Sequence, residues 1–209
     1  MSNSIQKVGE KFAGFLHSRN VDLVENEDGR LESLNSEGAI TGLLREEFGH
    51  EVDFLEKDSN RAFGDLDVLI GGKIHAINVK MVSETTGTYN GGSAKVFNHV
   101  LYGAADISWG NLVKKINEEP PTKICCEYFY LIYYKRSKKK PQFASLTDIS
   151  HESIVTNPSN PIQLKQNLLV VGRTEEEKVD FMLELLEEVL RKKAQPYLNL
   201  KKGRKNGRI

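Results

Sequence analysis

The stretch Gly64-Asp65-Leu66-Asp67-Val68-Leu69-Ile70-Gly71-Gly72-Lys73-Ile74-His75-Ala76-Ile77-Asn78-Val79-Lys80 decides how this chain is read. Two apolar runs flank a Gly-Gly pair, the pattern of a tight β-hairpin. With a two-residue turn at Gly71-Gly72, Ile70 faces Lys73, Asp67 faces Ala76 and Asp65 faces Asn78. Strand side chains alternate and cross-strand partners share a face. One face then carries Asp65, Asp67, Asn78 and Lys80; the other carries Leu66, Val68, Ile70, Ile77 and Val79. A turn one residue longer would break that pairing.

Outward from the hairpin, helical spacing of apolar residues predicts helices over 4–17, 36–48, 94–102, 109–117 and 174–193. Ser36 reads as the cap of the second, and Thr174 with Glu177 as the capping box of the last. Strands are expected at 52–55, 66–70, 74–82, 123–134, 142–146 and 168–171. Residues 21–34 and 85–93 read as loops. The fold class is α/β, a central mixed sheet flanked by helices. The expected organisation is one domain over 1–194 and a basic tail, 195–209, extended or mobile.

The chain has 209 residues, 39% hydrophobic and 28% charged, a globular composition. No apolar run reaches the roughly 18 residues of a membrane span, and the polar Met1–Gln6 start lacks a signal-peptide core. Cys125 and Cys126 are adjacent; in an extended strand they point to opposite faces, so no bridge between them is expected. A cytoplasmic setting with reduced thiols follows. The five histidines show no metal-ligand spacing.

On the polar hairpin face, Asp67 and the Asn78 oxygen suit a hard divalent ion such as Mg²⁺. Lys80 is placed to orient a water or to neutralise charge developing on phosphorus. A phosphodiester hydrolase needs this set. An ordinary half-exposed hairpin, polar outside and apolar inside, has the same alternation.

The stretch resembles the PD-(D/E)xK nucleases, most of all the type II restriction endonucleases. Asp67 matches the first acid of their pattern, and Asn78-Val79-Lys80 the acid-x-Lys triplet. Leu66 stands in place of the proline, and Asn78 in place of Asp or Glu, a neutral oxygen ligand for a charged one. The strand followed by a Gly/Asn-rich loop is similar to the Asn-x-Lys variants of that family, as is Asn157-Pro158-Ser159-Asn160-Pro161-Ile162-Gln163 downstream. A plain Asx/Pro turn accounts for that last segment equally well. The resemblance covers roughly residues 36–163. It implies a restriction-endonuclease-like core and Mg²⁺-dependent hydrolysis of double-stranded DNA, with Mn²⁺ as a substitute. It also implies a homodimer on a short palindromic site, because a two-fold protein matches a two-fold sequence. A DNA methyltransferase is then the genetic, not physical, partner of a restriction-modification system.

The family's helical Glu falls best on Glu37, with Glu47 next and Glu46 solvated; an acid near a helix N-terminus explains Glu37 as well. Asp65 offers a second acidic metal ligand that offsets the missing charge at Asn78. Alternatives in view are a repair or junction-resolving nuclease of the same fold, and a non-catalytic DNA-binding or regulatory module.

The basic and acidic residues balance at 29 each, which taken whole argues against nucleic acid. The balance is an average. Residues 191–209 hold eight of the basic residues and no acid, leaving 21 against 29 before them. Lys135, Arg136, Lys138, Lys139 and Lys140 form a second basic run suited to phosphate contacts. Asn90, Ser93, Lys95 and Asn98, near the Lys80 strand in sequence, are the candidates for reaching base edges.

Overall fold

A computed structural model describes residues 4–19, 29–55, 64–83, 87–104, 107–135 and 137–205, with backbone alone at 29–35 and 197–205. Gly71 and Gly72 both have positive φ, 59° and 76°, which β-carbon-free residues adopt without strain. They close the hairpin of β2 (Leu66–Ile70) and β3 (Lys73–Val82) with the two-residue turn. The register is the expected one, with Ile70 opposite Lys73 and Asp67 opposite Ala76. β1 (Asp53–Phe54) adds to β2, β5 (Tyr128–Tyr134) lies parallel to β3, and β6 (Gln142–Ser145) returns antiparallel to β5. The resulting mixed sheet runs β1-β2-β3-β5-β6.

Helices cover both faces. α1 (Ile5–Ser18), capped by the Ser4 hydroxyl, and α2 (Gly29–Phe48) pack on one side. There Phe12, Leu16, Ile40 and Leu44 meet Leu66, Ile77, Val79, Phe129 and Leu131. The Phe12 ring stands 5.1 Å from Phe48 and 5.9 Å from Phe54; truncating so buried a ring to Ala costs about 3–5 kcal/mol. On the other side lie α3 (Ala94–Tyr102), α4 (Trp109–Glu118) and α5 (Glu175–Lys205). Phe97, Val100, Leu112, Met182, Leu186 and Val189 cover Ala76, Tyr130 and Ile132 there. The Thr174 capping box forms in both directions, with backbone-to-side-chain distances of 2.7 and 3.3 Å. Among the described residues no helix is long and apolar enough to cross a membrane.

Several expectations are corrected. α2 begins at Gly29, so 29–34 is helix rather than loop, and Ser36 is a buried mid-helix residue rather than a cap. Thr88–Gly92, read as loop, is strand β4. It pairs with β8 (Ile162–Lys165), itself joined to β7 (Ile154–Val155), in a second, three-stranded sheet. Tyr89 is buried there, and Tyr130 Oη donates to Gly91 O at 2.5 Å. The strand expected at 123–134 starts only at Tyr128. Leu168–Val171 makes a single bridge, Ile149 to Val170, rather than a strand. Residues 195–205 continue α5 through Pro196 instead of forming an extended tail.

Candidate active site

Asp65 precedes β2 and closes the open end of the hairpin. Its N–H donates to Ile77 O at 2.9 Å, and its Oδ2 accepts the Val79 N–H at 2.7 Å. Part of its carboxylate therefore does a backbone carbonyl's job at the edge of β3. Gly64 packs so tightly on β3 that a β-carbon there would stand 2.5 Å from Ile77 O. Its N–H points at Asp67 Oδ1 across 3.4 Å, a long contact.

Asn78 and Lys80 project from the same face of β3 as Ala76, which packs with Tyr128 and Tyr130 of β5. Tyr128 ties the face together. Burial raises its phenol most, the Asp65 and Asp67 carboxylates raise it further, and a hydrogen bond from Asn78 acts the other way. The buried hydroxyl thus meets the Asn78 amide and lies within the field of both carboxylates. With the Asn78 amide nitrogen turned to Tyr128, its Oδ1 is buried and has no hydrogen-bond partner.

The β2 ladder ends at Leu66–Ile77, and beyond it α2 reaches β3. There Lys80 Nζ meets Glu37 Oε1 at 3.2 Å, with the side chains only 18% and 13% exposed. Glu37 lies well inside α2, so the macrodipole at a helix start does not explain it. The ion pair with Lys80 does, because a nearly buried carboxylate needs a partner.

Among the described residues no three His, Cys, Asp or Glu side chains gather to hold a metal. Mg²⁺ keeps several waters and takes only one or two protein oxygens. The orphaned Asn78 Oδ1 and the Asp67 carboxylate on the same hairpin face fit that modest requirement. Tyr128 went unnoticed in the sequence; its one signal is alternation with Tyr130 and Tyr134 along a strand.

The candidate DNA contacts divide. Ser93 and Lys95 are exposed at the start of α3. Asn90 is exposed, but its Oδ1 accepts the Gly92 N–H at 3.1 Å. Asn98 is 1% exposed and donates to Ala104 O at 2.9 Å, so it holds the end of α3 and does not face solvent. The Lys135 N–H donates to Val82 O, which sets the basic run at the Lys80 end of the parallel pair β3/β5. Lys138 and Lys140 are exposed; Lys139 is exposed and also reaches Asn167 Oδ1 at 3.3 Å. Arg136 lies outside the described residues. In α5, Lys192 binds Glu188 and Thr156 O, and Lys193 binds Pro158 O. Asn157 folds its segment as an Asx turn: Oδ1 accepts from Ser159 N and Asn160 N, and Nδ2 donates to Gln163 at 2.8 Å.

No protein-family model and no curated protein matches the chain.

Proposed function

We propose that the chain is a type II restriction endonuclease-like enzyme that hydrolyses double-stranded DNA at a short site with Mg²⁺. The observation that carries this reading is the single polar hairpin face with its Glu37-paired lysine. Asp67 and Asn78 Oδ1 would hold the ion, which when bound polarises phosphate and acidifies water. Lys80 carries a positive charge beside that face and orients the attacking water or balances charge on the phosphate. Glu37 anchors the ammonium and is a positioning residue. The basic run 135–140 contacts phosphates without reading sequence. The protein acts as a homodimer on a palindromic site.

Digestion of phage DNA by the purified protein, with and without Mg²⁺, tests this. Discrete fragments in Mg²⁺ or Mn²⁺ support it; a smear, or no cutting under any divalent ion, refutes it. The neutral Asn78 in place of an acid favours one second reading, a DNA-binding module without catalysis. Tight duplex binding with no cleavage selects that reading.

A further inference from the structure

Cys125 and Cys126 lie before β5 rather than in it, and they do not alternate as strand neighbours would. Both backbone N–H groups donate to one carbonyl, Val100 O, at 2.9 and 3.3 Å. Both sulfurs then turn toward Gly103, the left-handed residue that ends α3. A β-carbon on Gly103 would stand 2.9 Å from Cys125 Sγ and 3.4 Å from Cys126 Sγ. The thiols are free, Cys125 is exposed, and both line a cavity of about 570 Å³ with Lys73, His75, Glu127 and Glu175.

A direct disulfide is the poorer use of this pair. Adjacent Cα atoms across a trans peptide stand ~3.8 Å apart, against the ~4.4–6.8 Å of ordinary disulfides. The described chain has no cis peptide, and the shared bond to Val100 O clamps the peptide. Two sulfurs on one central atom at ~2.3 Å each need approach only to ~3.7 Å, and both sulfurs here turn to the same side, toward Gly103. With no third His, Cys, Asp or Glu among the described residues close enough to complete a ligand set, hard and tetrahedral ions are poorly served. Soft centres that accept two sulfurs in a bent arrangement are served well.

We propose that Cys125 and Cys126 form a preorganised dithiol site for a soft, trivalent thiophile, of which an organoarsenous oxide is the simplest example. The step balances without an oxidant: R–As=O and two thiols give R–As bonded to both sulfurs and one water, with arsenic trivalent throughout. Burial, and then Cys125, push the Cys126 thiol up to about 11; at pH 7 its proton leaves with the expelled water, and because the thiolate is the attacking form the adduct forms faster as pH rises. The site is independent of the proposed nuclease activity.

The test adds one equivalent of phenylarsine oxide to the full chain, titrates free thiols with a chromogenic disulfide, and reads the adduct by intact mass. The expected result is loss of both thiols and a single adduct with one water expelled. A dithiol competitor removes it and a monothiol at equal thiol concentration does not. Cys125→Ser and Cys126→Ser each lose the adduct. An unfolded chain also carries adjacent thiols, so the same competition is run in denaturant; the folded pair holds the arsenical at competitor concentrations that strip the unfolded one. Retention of both free thiols, an adduct that survives either substitution, or equal release from folded and unfolded chain overturns the proposal.

Discussion

Replacing Glu37 by Gln keeps the side chain's shape and removes the charge that faces Lys80. At 3.2 Å and an effective dielectric of about 20, the gross attraction is about 5 kcal/mol. Desolvation of both groups offsets much of that. Exposed pairs are worth ~0–1 kcal/mol, whereas removing one partner of a buried pair costs ~3–5 kcal/mol. With the two side chains 18% and 13% exposed, the pair is closer to the buried case, and Glu37→Gln is expected to cost about 2–3 kcal/mol. Lys80→Met leaves Glu37 uncompensated at a similar cost. The double variant removes both charges together, so it loses less than the two singles combined, with a coupling of about 2 kcal/mol. Urea unfolding at pH 7, followed by circular dichroism, measures all four chains, and an unchanged m-value certifies the comparison. Costs that add to within about 0.5 kcal/mol would refute the pairing and with it the anchoring of Lys80.

Three other outcomes follow from the same geometry. Tyr128→Phe frees the Asn78 amide and weakens Mn²⁺ binding in calorimetry by roughly 10-fold; with Asn78→Asp, whose two oxygens are equivalent, the loss is smaller, and an equal loss in both backgrounds contradicts the orienting role. Burial holds His99 down at about 4, against an ordinary 6.5; the unfolded chain therefore binds the extra proton first, and the contribution of neutral His99 is full above about pH 6.5 and lost as pH falls toward 4. That slope is worth up to about 3 kcal/mol, and His99→Leu flattens it in pH-dependent urea melts. Gly64→Ala forces a β-carbon against Ile77 O and lowers stability by about 1–3 kcal/mol, whereas Gly110→Ala, which meets nothing, is neutral or slightly stabilising in thermal melts.

The hairpin was legible because Gly71-Gly72 admits essentially one turn, and the turn fixes which residues share a face. Helices α3 and α4 were legible from their apolar spacing. The second sheet was not, because Thr88–Gly92 is Gly- and Asn-rich and its partner, Ile162–Lys165, is remote in sequence. The polar set Asp67, Asn78 and Lys80 came from alternation alone. Tyr128 did not, since the parallel pairing of β3 with β5 leaves no local trace. Asn98 was misread as a base contact because a polar residue in a helix looks solvated until the carbonyl it serves, Ala104 O, is placed. The cysteines were misread for the converse reason: strand-like composition at 123–127 hides a bend pinned to Val100 O.

The proposed hydrolytic role of the hairpin face stands or falls on one comparison. Duplex cleavage and duplex binding are measured side by side in Mg²⁺, for the unaltered chain and for Asp67→Ala and Lys80→Ala. The expected result is that the unaltered chain cuts duplex DNA into discrete fragments, while both variants still bind duplex and no longer cut. Cleavage that survives both substitutions, or binding by the unaltered chain without any cleavage, would contradict it.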